Sequence, residues 1–400
     1  MRIVHADGVF TGTQEILDGA VALEDDRVHA VGSAAGVASA FPGAPVERVN
    51  GVVFPGLVNA HTHVELSVFH GAVPSGLGFV GWVDRFMGLR GSVSPEATAA
   101  AIERAAATLA ERGTVAVGDI TNGLAAVSAL AAQGLAGWVF HELFGLGAQD
   151  AAARYAAMPT AAVGRDFGDL AYHRTPHTLH TLHPSVLALF ADEARTPGAR
   201  LSVHLAEHPG ERRLLEDGDG PMADWLLART GARVSGVSLG PIAYAARLGL
   251  LRENVMLVHL TDATGEELEQ VAAAGSRVVL CPRSNVFIEG RLPDVRAMLR
   301  SGIEPALGTD SLASNDSLDV LDDADLLRRS FPEVPASTWL QAATRNGARA
   351  LGLAGVGELA PSAAPGVYAI EGALEGRRPA DFVLDHRDRT RRVLARRIAS

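Results

Sequence analysis

Between Val53 and Leu353 the chain repeats one pattern, short apolar runs separated by alanine- and leucine-rich stretches of helical period, and this alternation restricts the fold more than any other feature. Eight such runs stand out: Gly56–His61, Thr114–Ile120, Leu135–His141, Leu170–His177, Arg200–Leu205, Asn254–Leu260, Ser276–Cys281 and Gly302–Gly308. Continuous apolar runs of strand length suit strands buried on both faces, and the stretches between them suit the crossovers that parallel strands need. Pro95–Arg112 after Ser94 and Glu266–Ala274 after Asp262 carry helix-start signals. Eight β/α units predict an α/β fold of the (β/α)8 or TIM-barrel type. The flanks read differently. Residues 1–55 alternate apolar runs with turns, as β-hairpins do, and residues 354–400 are loop-rich with Ala380–Leu384 reading as a strand. The expected organisation is therefore a barrel over 56–353 and one small β-sandwich built from 1–55 and 354–400. Residues 208–253, the longest interval between strands, contain the Gly- and Asp-bearing stretch Leu215–Gly220, which reads as a loop in a lid over the barrel mouth.

Active groups of such a barrel lie at the C-terminal ends of its strands. His61 and His63 end the first run, His204 the fifth and His259 the sixth, and Asp310 follows the eighth. Residues two apart on a strand share a face, so His61 and His63 point to one region about 6–7 Å apart along the chain. A divalent metal takes three or four such donors. Glu207, three residues after His204, is placed above that point, where a carboxylate serves as general base and acid; the bland alternative is a solvated loop glutamate.

Composition excludes several chemistries. With 46 Asp+Glu against 35 Lys+Arg the formal charge is −11, so no basic stripe offers itself to nucleic acid and a small-molecule substrate fits better. The single cysteine, Cys281, rules out an internal disulfide and Cys-rich zinc sites, in keeping with a cytoplasmic protein. No run approaches the roughly eighteen apolar residues of a membrane helix, and no signal run opens the chain. All 35 basic residues are arginine, which removes Schiff-base lysines, the P-loop lysine and modified-lysine bridges between two metals.

His61-Thr62-His63, His204-Leu205-Ala206-Glu207, His259, Cys281-Pro282-Arg283-Ser284-Asn285, Leu307-Gly308-Thr309-Asp310-Ser311 and Thr344-Arg345-Asn346-Gly347-Ala348 together resemble the amidohydrolase superfamily, in its mononuclear cytosine-deaminase and chlorohydrolase-like branch. That resemblance implies one divalent metal per subunit, Zn²⁺ or alternatively Fe²⁺ or Mn²⁺, held by His61, His63, His204 and Asp310. It implies that His259 contacts water or substrate, that Glu207 shuttles protons, and that Asp310 and His259 aim the nucleophile in a hydrolytic deamination. The absent lysine agrees with one metal rather than two.

Asn59–Ser67 and Gly308–Asn315 are most similar to the corresponding text of aminofutalosine deaminases of the alternative menaquinone pathway, which hydrolyse the amino group of an adenine nucleoside; adenosine-, adenosylhomocysteine- and guanine-type deaminases share most of it. A different leaving group on the same site (chloride, an alkylamine, an acyl amide) and a non-catalytic scaffold are the competing readings. Glu65, one strand-step beyond His63, is a candidate nucleoside contact or else a glutamate that supports the site from behind or lies on the surface. Trp82 with Arg85 or Arg90, in what reads as a long loop after the first strand, offers an aromatic wall and a cation for an acidic substituent. Arg283 is a second candidate cation, with a structural ion pair as its rival. His177 is a pocket candidate, although Thr178, Leu179 and His180 depart from the family text. His141-Glu142 reads as packing or hydrogen-bonding support, and a homodimer through barrel helices is an ordinary assembly for such a chain.

Overall fold

The computed structural model describes residues 1–162, 164 and 166–397. The chain opens with β1 (Arg2–Phe10), β2 (Glu15–Glu24), β3 (Arg27–Ser33) and β4 (Val46–Pro55). There follow β5 (Leu57–Thr62), β6 (Thr114–Thr121), β7 (Ala136–Leu143), β8 (Leu170–Pro176), β9 (Leu201–Leu205), β10 (Val255–His259), β11 (Arg277–Leu280) and β12 (Ala306–Leu307). Last come β13 (Pro365–Glu371) and β14 (Arg392–Arg397).

The strands β5 to β12 occupy the eight apolar runs. Only the last is much shorter than expected: Gly302 turns the chain with φ of 81°, Pro305 has no N–H to give a ladder, and two residues remain to pair with β11. These strands form two four-stranded parallel sheets, β5-β6-β7-β8 and β12-β11-β10-β9. Every residue of β5, β6, β9 and β10 is buried, which is why their sequences are apolar throughout rather than alternating. The sheets meet at both edges. At one, the N–H groups of Thr309 and Asp310 donate to His61 O at 3.0 and 3.1 Å, and Thr62 bridges Asp310. At the other, His204 N–H donates to His177 O at 3.1 Å and Ser202 N–H to Thr175 Oγ1 at 3.0 Å. Gly308 allows the first contact, because a Cβ there would lie 2.6 Å from His61 O.

Helices pack around these sheets with local signals in place. Ser94 Oγ caps Pro95–Glu111 by accepting from Ala97 N–H at 3.1 Å. Thr264, rather than Asp262, opens Gly265–Ala273 through a capping box with Glu267. The interval 208–253 holds the helices Pro209–Asp217, Pro221–Thr230 and Pro241–Leu248, each begun by proline and closed by a left-handed glycine: Gly218, Gly231 and Gly249. The expected loop at Leu215–Gly220 therefore shrinks to Gly218–Gly220. The expected loop around Trp82 is also a helix, Gly78–Leu89.

The two ends of the chain share one six-stranded sheet in the order β14-β13-β4-β1-β2-β3, in which only β1 and β4 run parallel. Val4, Val9, Val21, Val53, Val367 and Leu394 meet in a core drawn from most of its strands. Ala380–Leu384 is not a strand but part of the helix Pro379–Asp385. Proline in its first turn and Asp381 near its N-terminus favour the helix, and burial of Phe382, Val383 and Leu384 overrides their strand propensity. Among the described residues no helix is long and apolar enough to cross a membrane.

Candidate metal centre and cavity

The strand ends bring the sequence-expected donors together. His63 Nε2 lies 3.3 Å from His204 Nε2 and 3.4 Å from Asp310 Oδ1, and His61 Nε2 lies 3.9 Å from that same oxygen. The donor atoms of His61, His63 and Asp310 fall within 4.8 Å of one another, as do those of His61, His204 and His259. His61 is fully buried, and neither of its ring nitrogens has a hydrogen-bond partner within the protein. A buried imidazole with no partner is costly unless a ligand supplies one. Burial first, and then the neighbouring histidines, hold the His61 pKa well below its usual value, and burial pulls His63 down to about 3. Neutral imidazoles are what a metal binds. Burial works to raise the Asp310 pKa, but His63, His259 and the Ser284 hydroxyl outweigh it and keep the carboxylate ionised. Three imidazoles and a carboxylate in this arrangement fit one divalent metal.

Asp310 and His259 are held from behind. Ser284 Oγ and Ser314 Oγ donate to Asp310 Oδ2 at 2.5 and 2.8 Å, which leaves Oδ1 facing the histidines. Asn285 Nδ2 lies 3.2 Å from His259 Nδ1; with the amide as donor, the ring proton sits on Nε2, which faces Glu207 Oε1 at 3.6 Å. Such a tautomer touches a reactant rather than a metal. Glu207 is buried; desolvation first, then Asp310, Glu211 and Glu289, push its pKa well above the ordinary carboxylate range. Its backbone N–H donates to Glu211 Oε2 at 3.0 Å. Non-glycine residues with left-handed backbones gather here: Ala206 at φ 49°, His259 at 77°, Leu260 at 51° and Asp310 at 58°. Each such turn costs about 1–3 kcal/mol and persists only where the surroundings enforce it.

Above the cluster opens a cavity of about 240 Å³ whose lining includes His63, His204, Glu207, His259 and Asp310 at its floor. Phe79, Trp82, Phe86, Met222, Trp225 and Leu226 wall it with apolar surface.

An amidohydrolase family model matches residues 52–390. The chain belongs to the amidohydrolase family. It is accordingly a hydrolase of carbon–nitrogen bonds. This amidohydrolase is 31% identical over 369 residues to the aminodeoxyfutalosine deaminase of Deinococcus radiodurans, covering 88% of this chain and 86% of that one. It is 31% identical over 349 residues to the 5-methylthioadenosine/S-adenosylhomocysteine deaminase of Moorella thermoacetica, covering 84% and 77%. Its fold matches the Helicobacter pylori aminofutalosine deaminase crystallised with methylthio-coformycin, at a TM-score of 0.85, 22% identity and 98% coverage of both chains.

The candidate substrate residues of the amidohydrolase divide into two groups. His177 and Trp82 line the cavity, as does Arg90, whose guanidinium donates to Asn122 Oδ1 at 2.7 Å. Glu65 does not line it. Its carboxylate accepts from the N–H groups of Asn122 at 3.0 Å, Gly123 and Ala125 and from the Thr121 hydroxyl, so it staples the turn after β6. Arg85 is exposed and does not line the cavity, because the helix Gly78–Leu89 presents Trp82 and Phe86 there instead. Arg283 is taken up by Asn315 and Asp316, so the ion-pair reading prevails. Sequence reasoning undervalued Glu142 and overlooked Phe79, Trp225 and Glu211. Only Glu142 carried a signal, its position after the third apolar run.

Proposed function

We propose that this amidohydrolase removes the exocyclic amino group of an adenine nucleoside by hydrolysis, releasing ammonia, with one divalent metal, zinc in the first instance, held by His61, His63, His204 and Asp310. Fe²⁺ and Mn²⁺ suit the same donors. The observation that carries the reading is the placement of Glu207 and His259, 3.6 Å apart, beside that donor set on a cavity floor, in a chain whose relatives include two adenosine-type deaminases. The metal, when bound, supplies the Lewis acidity that makes water a nucleophile at neutral pH. Glu207, whose high pKa lets it carry a proton, takes one from water and delivers it to the ring nitrogen next to the amino-bearing carbon. His259 donates a hydrogen bond from Nε2 to the incoming oxygen and Asp310 orients it; once that oxygen has bonded to the carbon, its remaining proton passes by way of the Asp310 carboxylate to the amino nitrogen, the C–N bond breaks and the amino group leaves as ammonia. The apolar wall holds the rest of the substrate and excludes water.

The architecture in this reading is a closed (β/α)8 barrel over 56–353, supported by the hydrogen bonds at both sheet edges. Residues 1–55 and 354–400 form the sandwich, supported by the core that the terminal sheet encloses. A cytoplasmic setting fits a chain with one cysteine, which is buried. The test is ammonia release by the metal-loaded protein from adenosine, 5′-methylthioadenosine, aminodeoxyfutalosine, guanine and cytosine, beside chloride release from a chlorotriazine. Ammonia from an adenine nucleoside is expected. Turnover of the pyrimidine or triazine alone, or of nothing, would overturn the reading.

A further inference from the structure

Glu142, at the end of β7, carries a carboxylate that the chemistry above does not use. Its side chain is 6% exposed, and Oε1 has no hydrogen-bond partner within the protein. The other oxygen, Oε2, accepts from Asn122 Nδ2 at 3.2 Å, and Asn122 is itself held by Arg90 at 2.7 Å. Glu142 lines the cavity, and its buried free oxygen lies 3.5 Å from His204 Nδ1 and 4.0 Å from His177 Nε2. His204 Nδ1 gives its proton to His177 O at 3.1 Å, and His177 Nδ1 pairs with Thr181 Oγ1 at 2.8 Å. Neither ring therefore satisfies Glu142, and with His204 Nδ1 so engaged the three side chains are a poor second metal site despite their proximity. A desolvated, unpaired carboxylate oxygen on a residue that lines a ligand cavity calls for a hydrogen-bond donor, which a small shift of the side chain lets a ligand supply.

We infer that Glu142, with His177 Nε2 beside it, recognises the ribose hydroxyls of the substrate and so selects nucleosides over deoxygenated or free-base analogues. The inference rests on the nucleoside reading of the preceding section. Glu142 reaches the cavity from β7, whereas Glu207 and His259 reach it from β9 and β10, so a purine directed at Glu207 leaves its sugar to the β7–β8 side. A carboxylate can accept from both hydroxyls of a vicinal diol, and His177 can accept from or donate to the second.

The experiment compares kcat/KM for adenosine with that for 2′,3′-dideoxyadenosine in the wild type and in Glu142→Gln, with metal content measured in both. The wild type is expected to prefer adenosine by about 10- to 100-fold, the worth of a hydrogen bond to a charged group, and the preference to collapse in Glu142→Gln with metal content unchanged. Absence of discrimination in the wild type, an arm that needs no variant, overturns the inference. So does an equal fall with both substrates in the variant. Two metal equivalents in the wild type and one in the variant reassign the carboxylate to a second cation. A wild type that releases no ammonia from adenosine, 5′-methylthioadenosine or aminodeoxyfutalosine removes the nucleoside reading and this inference together, whereas activity without discrimination removes this inference alone.

Discussion

At the floor of the cavity the side chains of His61, His63, His204, Glu207, His259 and Asp310 are each at most 13% exposed and come from strand ends. The wall is different: Phe79, Trp82 and Trp225 are only partly buried and ride on two helices outside the sheets. Several floor residues are held by hydrogen bonds from neighbouring elements, as in the link from Ser284 on the helix Pro282–Glu289 to Asp310, and several sit on strained backbone. Wall residues touch one another through rings, as when Trp82 stacks on Phe86 at 5.4 Å, and through single bonds between helices, such as Trp225 Nε1 to Asp84 at 3.0 Å. The floor is thus preorganised for chemistry and the wall is an adjustable surface for recognition. A substitution in the floor should act on metal and kcat, and one in the wall on KM.

The largest break in that contrast is expected from His61→Ala. Losing one of four donors should leave less than about a tenth of the metal and no measurable turnover, read by elemental analysis and ammonia assay. Glu207→Gln sharpens the contrast within the floor: metal content should stay near wild type while kcat falls ~10²–10⁴. Loss of metal in that variant would move Glu207 into the donor set. Ser284→Ala, which frees Asp310 Oδ2 of one donor, should weaken metal affinity about 10- to 100-fold in a chelator competition. Trp82→Ala should raise KM about 10- to 100-fold, the value of burying a large apolar group, with kcat within about threefold. An equal loss in kcat would place the wall among the chemical groups.

Beneath the floor, Glu211 offers a pH test of the same rigidity. Burial pushes its carboxyl up to about 7 from 4.5, so between these values the folded chain holds a proton that the unfolded chain has released. Stability contributed there is present below about pH 4.5 and lost as pH rises through 7. Thermal melts of Glu211→Gln should lack that slope.

The floor was legible in the sequence because burial on both faces wrote continuous apolar runs, and the donors terminate those runs at equivalent places. The absence of lysine sharpened the reading to one metal. Of the wall, Trp82 and the neighbouring Arg90 were legible, but the helix that carries Trp82 was not. Gly78, Gly81 and Gly88 made Gly78–Leu89 look like a loop, and the helix is held by tertiary contacts that no local period reports. Glu65 lay at the right step for a substrate contact, but the turn after β6 offered its unpaired N–H groups first. Phe382-Val383-Leu384 had strand propensity, yet Pro379 and packing made it helical. Glu142 was signalled only by its place after the third apolar run and Glu211 by nothing, since what singles them out is an unpaired oxygen and a backbone contact that exist only once the fold has formed.

The metal stoichiometry of the purified wild-type chain, measured together with ammonia release from an adenine nucleoside before and after chelation, is the most direct test of the floor. One divalent metal per chain, with turnover lost on its removal and restored on its return, is the predicted result. A fully active chain with no metal, or one that requires two, would contradict the floor as described.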